Sequence, residues 1–338
     1  MPQTIWGPPG REALLSTNAG KNDRCPTGKP DARRWARGRR ASVITIGSAA
    51  LLIWAWLSGA LSPALMMTSP AGRGHYDPES ILAGLIVEID GLPVEGLTRN
   101  LSGLTYASPK NTLFAVINNP PAVAELSTEG VLRRLIPITG LKDTEGISHV
   151  RDTWFLISDE KDQSIHLVQI TPDTEKLTID SPPILKLDFG FFHNLGFEGA
   201  SWDSRHDLLY LVQERLPIRI LFVDGLLPDP SGPERSLSVS SHALPWPHRL
   251  ALLDLSSLMR HEISGRLLLL SDASKMLFEY NAEGQLAYVM RLRAGAHGLR
   301  AAIPQAEGVT MDHEGRLFIV SEPNLFYRFS QGPGSVRN

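Results

Sequence analysis

Apolar residues come along this chain in short dense runs, with almost no sustained helical spacing. Leu113-Phe114-Ala115-Val116-Ile117, Trp154-Phe155-Leu156-Ile157, Leu208-Leu209-Tyr210-Leu211-Val212, Leu267-Leu268-Leu269-Leu270 and Leu317-Phe318-Ile319-Val320 each give way at once to polar residues. Continuous apolar runs of this length, bounded by turn residues, predict strands buried on both faces. A recurring phrase precedes three of them: Glu145-Gly146-Ile147, Glu198-Gly199-Ala200 and Glu307-Gly308-Val309. Ser102-Gly103-Leu104 is the same phrase without the acid.

One unit is being copied. Its starts fall near Leu101, Thr144, Phe197, Leu250 and Ala306, about 43 to 56 residues apart, the period of four-stranded propeller blades. The first predicted blade reads Leu101–Ala107, Thr112–Asn119, Ala122–Ser127 and Val131–Ile138. The second has Thr144–Val150, Thr153–Glu160, Ser164–Thr171 and a strand within Leu177–Phe189. The third has Phe197–Asp203, Asp207–Glu214, Ile218–Asp224 and a strand after Glu234. The fourth starts near Leu250–Leu255 and continues through Leu267–Ser271, Met276–Tyr280 and Leu286–Leu292. The fifth has only Gly308–Asp312, Arg316–Ser321 and Leu325–Phe329, and Gly84–Asp90 is a spare strand ahead of the first. Pairing the two closes the ring and removes an open edge. The expected fold is therefore all-β, a propeller over 84–330 with about five blades. A sixth would have to lie in the Pro-rich stretch Leu226–Pro247.

Charge changes the picture at the N-terminus. The chain of 338 residues has a net charge of -3, but residues 1–67 carry nine of the 33 Lys/Arg and three of the 36 Asp/Glu, leaving a body of net charge -9. An acidic body argues against nucleic acid as a partner and suits cations or neutral ligands. Residues 1–40 are Pro-, Gly- and Arg-rich with no apolar period, a composition of disorder. Five arginines (Arg33, Arg34, Arg37, Arg39, Arg40) then abut the uncharged stretch 41–61, long enough to span the inner membrane as a helix. The positive-inside rule keeps the arginines cytoplasmic and sends the propeller to the periplasm or exterior. The competing reading is a cleaved signal peptide ending near Ser58-Gly59-Ala60. A linker, 68–80, follows. The single cysteine, Cys25, lies in the tail, so the body has no disulfide framework and no thiol nucleophile.

The candidate chemistry lies in the repeat. The first strand of a propeller blade lines the central channel, so Glu145, Glu198 and Glu307 are expected at one mouth of it. Facing carboxylates repel, and a dication offsets the repulsion. Ca²⁺ takes six to eight oxygens, and Asn119 or Asn194 would help to complete its shell. Zn²⁺ fits less well, since the histidines are scattered. The alternative is that each glutamate accepts backbone N–H groups and braces blade to blade. A second acid set, Asp159, Glu160, Glu214, Asp272 and Glu322, closes the middle strands and reads as solvated loop acids. His193 is the best candidate for a general base, against the plainer reading of a surface loop histidine. No nucleophile elbow, P-loop or dinucleotide fingerprint is present.

With these phrases the chain resembles the SdiA-regulated (YjiK-like) family of membrane-tethered β-propellers. The matching residues are Asn100–Tyr106, Leu113–Pro121, Asp143–Ile147, Asn194–Gly199, Ala306–Asp312 and Ser321–Phe326, and the likeness extends over about Leu85 to Phe329. The resemblance implies a propeller at the cell envelope and brings no established activity. The expectation is a non-catalytic, Ca²⁺-binding module that presents its loops to an envelope protein or a small-molecule ligand. The rival is a Ca²⁺-dependent hydrolase of lactones or phosphoesters, drawn from a fold-level analogy.

Overall fold

A computed structural model describes residues 77–187, 196–213, 218–227, 236–242 and 252–332. The tail, the apolar stretch 41–61, His193, Asn194 and Glu214 lie outside the described residues. Among the described residues, no helix is long and apolar enough to cross a membrane.

The strands form five sheets. Blade one contains β2 (Leu101–Ala107), β3 (Thr112–Ile117), β4 (Ala122–Leu126) and β5 (Leu132–Thr139). Blade two contains β6 (Thr144–Arg151), β7 (Trp154–Asp159), β8 (Ser164–Gln169) and β10 (Leu185–Lys186). Between β8 and β10 the chain leaves blade two, and β9 (Leu177–Thr178) pairs in parallel with β5 on the edge of blade one. Blade three contains β11 (Phe197–Asp203), β12 (Leu208–Gln213), β13 (Arg219–Asp224) and β14 (Ser238–His242). Blade four contains β15 (Ser257–His261), β16 (Arg266–Ser271), β17 (Met276–Tyr280) and β18 (Leu286–Arg291). Blade five takes β19 (Ala306–Met311), β20 (Leu317–Ser321) and β21 (Leu325–Gln331), with β1 (Leu85–Pro93) antiparallel on β21 as its fourth strand. The spare strand thus closes the ring, and there is no sixth blade among the described residues.

The second strands explain the dense apolar runs. Each lies between two neighbouring blades, so alternate side chains enter alternate interfaces. Phe114 and Val116 of β3 pack with Phe155 and Ile157 of blade two, while Leu113 and Ala115 pack with Phe318 and Phe326 of blade five. Blades two and three meet through Leu156 and Leu211, three and four through Tyr210 and Phe278, four and five through Leu277 and Ile319. The core is therefore a set of interfaces between blades, and neighbouring inner strands β2, β6, β11, β15 and β19 touch all the way round.

Two devices hold these inner strands together. The glycine of each repeat phrase (Gly103, Gly146, Gly199 and Gly308) stands against the backbone of the next blade. A Cβ would lie 2.3 Å from the Glu145 carbonyl oxygen at Gly103 and 2.9 Å from the Leu258 nitrogen at Gly199. Only a residue without a side chain permits that approach. Two residues after that glycine, a hydroxyl accepts the backbone N–H of the following inner strand: Thr105 from His149 (3.0 Å), Ser148 from Trp202 (2.8 Å) and Ser201 from Arg260 (3.0 Å).

One predicted strand is displaced. Leu250–Leu255 is not the start of blade four; Ser257–His261 is. Leu252 and Leu255 are buried between blades three and four, but from the segment leading into β15. Their burial produced an apolar signal without a ladder. The inner-strand position belongs to the residues that meet Gly199 and Ser201.

Candidate functional site

Each repeat glutamate sits on a β-bulge at the start of its inner strand. Phe197 pairs with Gln213 and Gly199 with Val212, which leaves Glu198 as the extra residue. Glu307 is the extra residue between Ala306–Ser321 and Gly308–Val320, and a similar shift follows Thr144 in β6. A bulge releases one residue from the ladder and re-aims its side chain. Together with the ring, it brings Glu145, Glu198 and Glu307 to the lining of one cavity of about 640 Å³ at the mouth of the channel.

A second tier comes from the residue that follows the second strand of each blade. In blades one, two, four and five these are Asn118, Glu160, Asp272 and Glu322, and all four line the same cavity. The amide at the site is therefore Asn118, not Asn119. Asn119 is exposed, and its carbonyl accepts the Asn100 side chain. Glu160, Asp272 and Glu322 are likewise lining residues, where the sequence suggested solvated loop acids. Asp159 behaves structurally: it is buried and accepts the Lys142 backbone N–H at 2.8 Å. Asp143 and Asp254 complete the acids. Asp254 supplies a carboxylate from the segment ahead of β15, so blade four does contribute to the mouth.

Glu145 is at the centre of the arrangement. It is 7% exposed, and accepts Ser102 Oγ at 2.5 Å and Asn118 Nδ2 at 2.9 Å, both from blade one. Glu145 thus joins blade two to blade one through side-chain donors and not through the backbone N–H groups that the bracing alternative expected, with Ser102 standing at the position of the missing acid. Carboxylate oxygens of Asp143, Glu145 and Glu160 lie within 4.8 Å of one another. Burial pushes the Glu145 carboxyl up to about 7; the Ser102 and Asn118 hydrogen bonds oppose the shift, and Asp143 and Glu160 add to it. Burial raises Glu307 to about 8, opposed by its bond to Gln305 and reinforced by Glu145, Asp272 and Glu322. Asp254, Asp143 and Glu322 are also raised, burial being the main cause in each. Among the described residues the lining holds no arginine, no histidine and one lysine, Lys161. Asp272 accepts Lys275 Nζ at 2.5 Å and the Ala306 N–H at 2.9 Å, and Asp254 accepts Ser271 Oγ at 2.5 Å and the Ala273 N–H at 2.9 Å, so both also have bracing partners.

The donors of the described lining are almost all oxygens: eight carboxylates, the amides of Asn118 and Gln305 and the Ser256 hydroxyl, beside one lysine. That donor set suits a hard dication. The SdiA-regulated family model matches residues 79–330, nearly the whole propeller. The chain belongs to the SdiA-regulated family. This family propeller is similar at low identity to several solved structures. A nidogen/laminin complex chain is 15% identical, covering 70% of this chain and 84% of that one, with a TM-score of 0.43. A luciferin-regenerating enzyme is 12% identical, covering 73% and 96%, with a TM-score of 0.46. Virginiamycin B lyase from Staphylococcus aureus is 12% identical, covering 68% and 66%, with a TM-score of 0.37.

Four of the lining residues that sequence reasoning did not place at the site had a signal. Asn118, Glu160, Asp272 and Glu322 recur at one place in the repeat, as the three glutamates do. Asp254 had none, because it is hidden in the displaced apolar run.

Proposed function

We propose that this SdiA-regulated propeller is a membrane-anchored, extracytoplasmic module whose acidic mouth binds Ca²⁺ and, through it, a small ligand or an envelope partner. The observation that carries the reading is the convergence of eight carboxylates (Asp143, Glu145, Glu160, Glu198, Asp254, Asp272, Glu307 and Glu322) on one cavity whose described lining has a single lysine. Carboxylates held together without cations are costly unless they take up protons or a metal. Asp143, Glu145 and Glu160 supply the tightest oxygen set, with Asn118 and Ser102 orienting Glu145. Bound there, Ca²⁺ would supply a Lewis-acidic centre for oxygen ligands. The anchor and export readings rest on the arginine cluster and the uncharged stretch 41–61.

The test is metal analysis of the purified propeller with and without chelator, together with a melting curve. Ca²⁺ that co-purifies in stoichiometric amount and raises Tm when restored is the expected result. No bound metal and an unchanged Tm at millimolar Ca²⁺ would remove this reading. The hydrolase reading keeps one supporting observation: Glu145 and Glu307 have carboxyls raised into the range where a general base works near neutral pH. A lactone and phosphoester turnover screen decides it, since equal rates from the native chain and Glu307→Gln leave no catalytic role for the mouth.

A further inference from the structure

The inner strands all run from the acid mouth to a second mouth at the far end of the channel, where a second cavity of about 280 Å³ opens. The repeat builds this cavity in two tiers. Three places beyond the repeat glycine stand Tyr106, His149, Trp202 and Met311. Arg260 takes that place in blade four, its N–H donating to Ser201 as that of Trp202 donates to Ser148. One place earlier stand the hydroxyls of Thr105, Ser148, Ser201 and Thr310, all buried. All five blades thus contribute side chains.

The cavity contains polar groups that the fold does not satisfy. Thr105, Ser148 and Ser201 each accept a backbone N–H, and each keeps a hydroxyl proton with no acceptor among the described residues. The Trp202 indole N–H and the Thr310 hydroxyl make no hydrogen bond to any described residue, although each residue is only 4% exposed. Neither atom is sealed in the packing, so both open onto the cavity. Buried polar groups are ordinarily paired, yet here donors from four blades converge without a partner. One acceptor stands among them. His149 Nε2 lies 3.2 Å from the Asp152 carbonyl. A carbonyl only accepts, so Nε2 carries the proton and Nδ1 has the lone pair. Burial lowers the pKa of this ring, which keeps it neutral near neutral pH.

Charge and shape narrow the ligand. Arg260 pairs with Asp203 at 3.3 Å and Asp312 with Arg316 at 2.6 Å. Glu262, half-buried, accepts the Ser204 N–H at 3.0 Å, and Arg151 and Asp152 are exposed at the rim. The inner wall therefore presents hydroxyls, rings and a thioether, not an unpaired charge. Water would meet the hydroxyls but gains nothing from the apolar faces of Tyr106, Trp202 and Met311. We propose that the far cavity binds a neutral sugar of monosaccharide size, its ring against the aromatic side chains and its hydroxyls bonded to Trp202, Thr310 and His149. A sugar hydroxyl both donates and accepts, which matches a wall that holds both roles. The volume is close to the lower limit of small-molecule sites, about 300 Å³, and fits one ring better than a chain of them. The site is separate from the acid mouth and does not depend on a metal there.

The experiment is calorimetric titration of the full chain, in a detergent without a sugar headgroup. The probes are glucose, galactose and mannose, with glucuronate and glucosamine as charged counterparts. The expected result is saturable binding of at least one neutral hexose, equal in Ca²⁺ and in chelator and weaker for the charged sugars. Thr310→Val and Trp202→Phe should each weaken it about tenfold. Thr310→Val keeps the shape of the side chain and removes a hydroxyl that has no partner in the fold, so its Tm should match or exceed the native value. That readout separates lost binding from lost folding. No saturable binding up to decimolar sugar, or binding that both variants leave intact, overturns the proposal. Tighter binding of a charged sugar overturns the neutral class. Binding that disappears in chelator belongs to the acid mouth and overturns the proposal as well.

Discussion

The two ends of the channel treat buried carboxylates in opposite ways. At the far end each one has a guanidinium: Glu279 with Arg266, Asp203 with Arg260, Asp312 with Arg316 and Glu125 with Arg134. At the acid mouth the described lining has no guanidinium at all, and its acids face one another. The contrast separates two uses of the same side chain. A carboxylate with a built-in cation is a closed structural joint. Carboxylates that raise one another's proton affinity are an open site, because their compensation has to come from solution.

The largest expected effect tests the closed end. Glu279→Ala leaves Arg266 buried with only Asp77 and the exposed Glu79 for compensation, and strips the Ser80–Leu82 segment of its acceptor. Breaking a buried pair from one side costs about 3–5 kcal/mol, so urea unfolding should show a loss of that order. A loss under about 1 kcal/mol would put this joint in the class of surface ion pairs and dissolve the contrast.

The open end should respond with the opposite sign. Glu145 is raised from its ordinary carboxyl range to about 7, so the folded protein binds the extra proton. Its stabilising contribution is complete below about pH 4.5 and is lost as pH rises through about 7; Glu307 extends that window to about 8. The metal-free protein should therefore lose Tm between about pH 5 and pH 8. Glu145→Gln removes the ionisation while keeping an acceptor for Ser102 and Asn118. It should leave stability near the native value at about pH 5 and raise it by on the order of 3 kcal/mol at pH 8. Melting curves at both pH values, in chelator, check the sign; a destabilised Glu145→Gln at pH 8 would make Glu145 a brace like Glu279.

Added Ca²⁺ should cancel that loss. A ligand at a hundred times its Kd adds about 2.7 kcal/mol, and ligands that must shed protons bind more tightly at higher pH. The native chain should thus gain more Tm from Ca²⁺ at about pH 8 than at about pH 6, and Glu145→Gln should gain little at either. Mg²⁺, which holds its water more firmly, should stabilise less.

The ring itself was legible in the sequence, because its physics is local and repeated. Strands buried on both faces leave continuous apolar runs, and the narrow axis leaves a glycine after each acid. Blade closure was legible for the same reason, since Gly84–Asp90 had no other partner. What was lost required geometry. Asn118 and Asn119 are equivalent in sequence, and only the end of β3 at Ile117 decides which one turns inward. Glu160, Asp272 and Glu322 look like ordinary strand-end acids until the ring closes over them. Asp254 was masked by Leu252 and Leu255, whose burial imitates a strand. The pairing of Asp203 with Arg260, 57 residues apart, belongs to two blades and has no local trace.

The smallest expected effects test whether the two ends are coupled through the inner strands or stand apart. Ser148 and Ser201 each satisfy one backbone N–H of the next blade, and each is buried. Removing one such acceptor with Ser148→Ala or Ser201→Ala should cost about 1 kcal/mol, rising toward 2 if the N–H stays dry. Both residues sit three positions beyond a repeat glutamate on the same strand, at the channel's opposite end. If the strands act as rigid struts, the stability loss leaves Ca²⁺ affinity untouched, and the two mouths are independent. A loss of Ca²⁺ affinity of tenfold or about 1.4 kcal/mol in Ser148→Ala, read by calorimetric titration, would instead mean that loosening β6 against β11 moves Glu145 relative to Glu198, and the far end would then be part of the site.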